Sequence, residues 1–143
     1  MQSQERCGSV IYGIGHDVLE IGRVAGITES SLGSRFSRRI LTGPERVLAA
    51  GKGAKTAEFT AGRFSAKEAV VKALGCGIGQ MVGFQDIEIL PDALGKPVAI
   101  LSAEAWARLG LPEQEYVIHL TITHSRGLAS AFAVVERTTG HSL

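Results

Sequence analysis

Residues 56–74 (TAEFTAGRFSAKEAVVKAL) keep helical spacing for roughly five turns, and they restrict the fold more than any other stretch of the chain. Ala66, Ala69, Val70 and Ala73 recur at i, i+3, i+4 and i+7, so one side of the helix is lined with small residues that let another element approach closely. Gly75 is the expected stop, and Phe64, Glu68 and Lys72 occupy a neighbouring stripe. A long helix with so smooth a face must be packed against something.

The partner is sought among β-rich runs. Residues 10–21 (VIYGIGHDVLEI) begin as a strand, and strict alternation puts Ile11, Gly13, Gly15 and Asp17 on one face. Two missing side chains before a carboxylate leave room for a ligand; equally, Asp17 could cap the next element of a glycine-softened strand. Residues 30–37 read as polar loop, with helical spacing resuming over 36–50. Within that run Thr42, Pro44 and Glu45 form a helix start, and the helix stops near Gly51. Residues 51–55 (GKGAK) form a basic loop, either a plain connection or an anion grip. Further on, residues 84–90 and 97–101 read as strands around a turn at 91–96, and 102–109 as a short helix capped by Ser102. Residues 116–123 and 128–136 read as a hairpin joined by His124, Ser125, Arg126 and Gly127. Strands mixed irregularly with helices define an α+β fold, a small, mainly antiparallel sheet against helices with one long central helix.

With 143 residues, 45% of them hydrophobic and 20% charged, the whole chain (1–143) is expected to be one packed domain, with residues 1–9 an N-terminal extension and 138–143 a frayed tail. Cys7 and Cys76 are too few for a disulfide framework and lack zinc spacing, and no apolar run approaches a membrane span. The expectation is a soluble, cytoplasmic protein. A net charge of +1 conceals an asymmetry of −2 over residues 1–20, +6 over 21–75 and −3 over 76–143. Anionic partners would dock on that basic middle third. Aromatic residues, 6% of the chain, are not interleaved with the basic ones, so nucleic acid is not an expected partner.

Two phosphate-binding patterns are excluded. Val18 stands where a dinucleotide fingerprint starting at Gly13 needs its third glycine, and Gly75, Gly77 and Gly79 follow a helix instead of opening one. What remains is Asp17, Glu68 with Lys72, and His124. Hard oxygen ligands, few in number and supplied by separate elements, suit Mg²⁺ shared with a substrate's phosphates. Glu68 and Lys72 could instead be an exposed i,i+4 ion pair worth about 0.2–0.5 kcal/mol, and His124 a turn residue. His124 and Ser125 are adjacent in sequence, an arrangement that does not make a nucleophile and its base.

The segment Ile11-Tyr12-Gly13-Ile14-Gly15-His16-Asp17-Val18-Leu19-Glu20-Ile21 with Arg23 resembles the opening of the holo-acyl-carrier-protein synthases, the short class of 4′-phosphopantetheinyl transferases. Four further segments match in the same order: Arg39-Ile40-Leu41-Thr42 with Glu45; residues 61–69 (AGRFSAKEA) through Lys72-Ala73-Leu74-Gly75; residues 84–89 (FQDIEI) with Gly95-Lys96-Pro97; and Thr121-Ile122-Thr123-His124-Ser125. The resemblance covers about residues 10–136. It departs from the usual pattern at His16, where an apolar residue is common, at Cys76, where a small hydroxyl residue is, and at Lys55, often arginine.

This resemblance implies a transferase that moves the phosphopantetheine arm of coenzyme A to a serine of apo-acyl carrier protein, releases adenosine 3′,5′-bisphosphate and supports fatty acid biosynthesis. It implies a homotrimer with active sites between subunits. Asp17 and Glu68 would hold Mg²⁺, with Glu68 the plausible proton acceptor and Lys72 beside the phosphates. Lys55, Arg63, Gly75, Pro97, His124 and Ser125 would line the coenzyme A site, with Lys55, Arg63 and His124 on the adenosine and 3′-phosphate side. Arg23, Arg35, Arg38 and Arg39 would receive the acidic carrier protein. A metal-dependent phosphohydrolase or a carrier-binding module without turnover are the rival readings.

Overall fold

The computed structural model describes residues 8–138. Its elements run β1 (Ser9–Glu20), α1 (Ile21–Thr28), α2 (Gly33–Ile40), α3 (Gly43–Ala50), α4 (Thr56–Leu74), β2 (Ile87–Pro91), β3 (Pro97–Leu101), α5 (Ala103–Leu109), β4 (Tyr116–Ser125) and β5 (Leu128–Thr138). Strands β1, β5 and β4 make an antiparallel sheet in that order, and β2 and β3 make a separate antiparallel hairpin. The α+β architecture with one long helix is the expected one. The extension and tail expected at 1–9 and 138–143 fall mostly outside the described residues, but Ser9 and Thr138 lie inside them and pair with each other across β1 and β5.

Helix α4 lies across the inner face of the sheet. Ala66, Ala69, Val70 and Ala73 are all sealed in the core, together with Ala131, Ala133 and Val135 of β5 and Leu120 of β4. The helix ends where the sequence says it should, at Gly75 with φ +84°, a left-handed conformation that costs a glycine nothing.

The glycines of β1 are explained by this helix. A Cβ built on Gly13 would fall on the carbonyl oxygen of Ala73, and one on Gly15 on that of Ala69. The space expected for a ligand is therefore occupied by the backbone of α4. Alternation also fails at one point: the ladder shifts between Ile11 and Gly13, and Tyr12 is the extra residue, its ring edge-on to Tyr116 at 5.3 Å. The bulge removes Ile11 from the face shared by Gly13, Gly15 and Asp17.

Two further differences concern local elements. Helix α2 begins at Gly33, within the stretch 30–37 expected as loop, and contacts distant in sequence hold its end: Gln85 Nε2 donates to the carbonyls of Arg38, at 2.7 Å, and Leu41, at 2.8 Å. The hairpin between β4 and β5 turns through only Arg126 and Gly127, at φ +47° and +78°. Both positive values fit a two-residue type I′ turn, so His124 and Ser125 belong to β4 and not to the turn. Elsewhere local chemistry decides. Thr42 and Glu45 form the expected capping box on α3, and Ser102 caps α5. Residues 84–86 tighten into a 3₁₀ turn before β2.

Asp86 ties that turn to α5, accepting from Ser102 Oγ at 2.7 Å, Arg108 at 2.7 Å and the Gly83 amide at 2.8 Å. Partial burial pushes its carboxyl up, but these donors together outweigh burial and hold it below the ordinary value. A carboxyl depressed in the folded state stabilises it above the unfolded value near ~3.9 and loses that contribution as pH falls through the folded value. Asp86→Asn is therefore expected to lower the urea midpoint at pH 6, with the gap to wild type closing in the acid range; a gap that is constant with pH would refute the assignment. Among the described residues no helix is long and apolar enough to cross a membrane.

Candidate active site

Asp17 sits in the last third of β1, where its own backbone is docked to α4: Ser65 Oγ donates to the Asp17 carbonyl at 2.9 Å. The residue does not cap α1, whose N-cap is Glu20. Its side chain instead meets Lys72 of α4, whose ammonium lies 3.2 Å from Asp17 Oδ1 and 3.0 Å from the His16 carbonyl. Lys72 thus reaches across to the sheet, and an ion pair confined to one helix is not its main engagement. Alternation sends His16 to the other side of β1, where Nε2 lies 3.0 Å from Ser130 Oγ.

Glu68 is one turn before Lys72 and half-buried. Burial raises its carboxyl above the usual value, the negative charge of Asp17 raises it further, and Lys72 pulls it back in part. Two carboxylates repelling each other beside one ammonium form a corner with excess negative charge. A divalent cation fits this donor set: two hard oxygens from different elements, with the remaining positions open to water or phosphate. Among the described residues no group of three or more His, Cys, Asp and Glu gathers to hold a metal unaided.

From this corner an open cavity of about 350 Å³ extends along α4, lined by Glu68 and Arg39 with Phe36, Ile40, Phe64, Ile78 and Phe84. The sequence reading missed this aromatic wall. Phe36, Phe64 and Phe84 come from three elements, and only Phe64 shared a stripe with Glu68. Arg35 and Arg38 line a neighbouring hollow of about 390 Å³ with Ser31, Leu32 and Ser34, and Arg23 is exposed on α1.

Arg63, Pro97 and His124 meet in a second cavity, of about 280 Å³, joined by Lys52, Phe59 and Gly95. Arg63 packs over the Phe59 ring at 4.4 Å and Lys52 over the same ring at 5.5 Å, so two cations share one aromatic ring. Burial lowers the Arg63 guanidinium's pKa, with Glu45 opposing the shift. His124 crosses α4 at Gly62, where a Cβ would come 2.6 Å from Nε2. The basic loop contributes Lys52 to this wall, whereas Lys55 is exposed at the base of α4. Ser125 is exposed at the end of β4, and Gly75 serves as the C-cap of α4; neither lines this cavity. The two cavities share no residue.

A strand and a long helix bringing an aspartate, a glutamate and a lysine to one corner, beside a separate cationic pocket, define an enzyme that handles a phosphorylated ligand. The chain belongs to the 4′-phosphopantetheinyl transferase superfamily, whose family model matches residues 13–129. A holo-[acyl-carrier-protein] synthase of Bacillus cereus strain AH187 is 44% identical over 128 residues, covering 89% of this chain and 97% of the relative. Among solved structures, a holo-(acyl-carrier-protein) synthase of Bacillus anthracis in complex with CoA (3′,5′-ADP) matches with a TM-score of 0.75 at 43% identity, over 90% of this chain and 98% of that one. The holo-[acyl-carrier-protein] synthase of Neisseria meningitidis matches with a TM-score of 0.78 at 35% identity, over 88% and 98%. Within the superfamily this chain falls among the holo-[acyl-carrier-protein] synthases, and it is a transferase.

Proposed function

We propose that the chain transfers the 4′-phosphopantetheine group of coenzyme A to a serine of apo-acyl carrier protein with Mg²⁺, releasing adenosine 3′,5′-bisphosphate, and so serves fatty acid biosynthesis in the cytoplasm. The observation that carries this reading is the meeting of Asp17, Glu68 and Lys72 at one corner. Asp17 and Glu68 are the residues that would hold the metal. When bound, Mg²⁺ supplies positive charge to a pyrophosphate whose oxygens become more negative during transfer. Lys72 keeps Asp17 in place and directs its remaining N–H toward the phosphates. Glu68, whose carboxyl is raised by burial and by Asp17, is the proton acceptor for the carrier's serine hydroxyl in this reading. Arg63, Lys52 and His124 offer cationic and hydrogen-bonding groups for the nucleotide end of coenzyme A.

The shape of one chain supports sites shared between copies. Arg63 and Glu68 lie about 140° apart around α4 and open into different cavities, so one chain presents two half-sites facing apart. The outer face of the sheet carries exposed apolar side chains, Ile14 at 61%, Val18 at 51% and Phe132 at 42%, around the polar His16 and Ser130. A homotrimer that covers this face and joins unlike half-sites accounts for both. Phe132→Glu is expected to sediment as a monomer; assembly equal to wild type would reject this surface.

Arg23, Arg35, Arg38 and Arg39 are all exposed on α1 and α2, with Arg39 on the wall of the Glu68 cavity, and form the landing surface for an acidic carrier in this reading. The association rate is expected to fall about tenfold or more between low and high salt, as read by stopped-flow; a rate independent of salt would count against electrostatic docking. The transfer itself is tested by mass spectrometry of apo-acyl carrier protein incubated with the chain, coenzyme A and Mg²⁺. A gain of one phosphopantetheine supports the reading, and free phosphopantetheine without modified carrier shows a hydrolase instead.

A further inference from the structure

Lys67, one residue before Glu68, turns the opposite way, into the core. It is fully buried, and so is its partner Glu45 of α3, with Nζ 2.6 Å from Glu45 Oε1. The ammonium also donates to the carbonyls of Ile40, at 2.7 Å, and Phe84, at 3.0 Å. Glu45 in turn accepts from the Thr42 amide through Oε1 at 2.7 Å and from the Ile89 amide through Oε2 at 2.9 Å. Every donor and acceptor of the pair has a protein partner, and these partners come from the end of α2, the start of α3, the 3₁₀ turn at 84–86 and β2.

The destinations of these bonds are not arbitrary. Ile40 and Phe84, whose carbonyls Lys67 holds, are walls of the Glu68 cavity. Ile89, whose amide Glu45 holds, receives Arg63 Nε on its carbonyl at 3.0 Å. One ion pair therefore braces the aromatic wall on one side of α4 and the arginine on the other. A buried pair is a poor source of net stability, since hydrophobic residues of similar volume often serve as well. Its many directed bonds make better sense as a means of fixing geometry.

We infer that Lys67 and Glu45 are a positioning pair for the transfer reaction, holding the Glu68 cavity and the Arg63 pocket in fixed relation through the backbones of Ile40, Phe84 and Ile89. This inference rests on the transferase reading of those two cavities. Neither residue touches substrate; they act through the groups they hold. The pair also explains why a fold this small keeps a buried lysine beside its acidic corner.

The test is the double variant Glu45→Gln/Lys67→Met, which removes both charges while the one oxygen of Gln keeps an acceptor for one of the two backbone amides that Glu45 holds. The variant is expected to fold with a lowered melting temperature, since the Ile40 and Phe84 carbonyls lose their donor but no lone charge is left buried. Its kcat is expected to fall roughly tenfold or more, because misplacement of the reacting groups is costly, and its KM for coenzyme A to rise as Arg63 loosens. A double variant that folds and keeps wild-type kcat and KM overturns the inference. Should it fail to fold, Glu45→Asp decides, because it keeps both charges buried together and shortens only the reach to the Thr42 and Ile89 amides: an intermediate loss of kcat supports the positioning role, and none removes it. Wild type assayed alongside reports separately on the transferase reading. If wild type transfers nothing, that reading fails, and amide hydrogen exchange decides the bracing itself: faster exchange at Ile89 and Thr42, whose amides Glu45 holds, in the double variant upholds it, unchanged exchange rejects it.

Discussion

Glu68→Gln is expected to leave a folded protein whose transfer rate to apo-acyl carrier protein is lower by at least ~10²-fold at saturating Mg²⁺ and coenzyme A. The substitution keeps size and one oxygen but removes the negative charge and the basic site together. It also relieves the repulsion between Glu68 and Asp17, one of the causes that raise the Glu68 carboxyl. Thermal stability should therefore hold or improve slightly while activity collapses, a combination that a structural role would not produce. Asp17→Asn makes a useful contrast. It removes the charge that pairs with Lys72 at 3.2 Å but keeps an oxygen there, so the Mg²⁺ concentration needed for half-maximal rate should rise while the proton acceptor remains. Turnover of Glu68→Gln near the wild-type rate with saturating Mg²⁺ would remove both the metal-holding and proton-accepting roles at once.

The parts of this fold that could be read from the sequence are those in which a residue's partner is close along the chain. Thr42 and Glu45 cap α3 across three residues, Ser102 caps α5 likewise, and Gly75 ends α4 by its own conformational freedom. The periodicity of α4 identified its buried face correctly, down to Ala66, Ala69, Val70 and Ala73. The start of α2 at 33–35 is not legible, because Gly33 and Ser34 have weak helical preference; Gln85, far along the chain, holds the other end of that helix. The turn after β4 was placed two residues early because Arg126 is not a residue that announces a positive φ.

The candidate site divides in the same way. Asp17, Glu68 and Lys72 could be proposed together because the resemblance fixed their roles, and the structure brings them to one corner. Arg63, Pro97 and His124 also converge, although pattern alone offered no reason to join a helix and the ends of two separate strands. Lys52 was overlooked in favour of Lys55 because both lie in one basic loop; which of them faces Phe59 is set by the short 3₁₀ turn at Gly53–Lys55. Lys67 was invisible as a core residue. On a helix rich in charge, nothing local distinguishes a buried lysine from a solvated one, and its partner Glu45 was already explained as a cap.

Gly15→Ala is expected to destabilise the protein by about 3 kcal/mol or more, measured by urea unfolding, since overpacking against backbone leaves no side chain to rotate away. The added methyl would fall on the Ala69 carbonyl and within 2.8 Å of the Ala73 nitrogen, both part of an intact helix, so either α4 bends or β1 lifts. Gly22→Ala and Gly26→Ala are the controls: both glycines lie in α1 with nothing within 4 Å of a built Cβ, so alanine there should stabilise by roughly 0.5–1 kcal/mol. The same chemical change then has opposite signs, decided by whether a helix lies underneath. Function should follow the packing. Asp17 is two residues beyond Gly15 on the same face, held by Ser65 to the same helix, so a lifted β1 draws its carboxylate away from Glu68. Whatever fraction of Gly15→Ala remains folded should accordingly transfer poorly even at low temperature. An unfolding midpoint equal to wild type would mean that β1 and α4 do not approach backbone to backbone, and the placement of Asp17 beside Glu68 would lose its foundation.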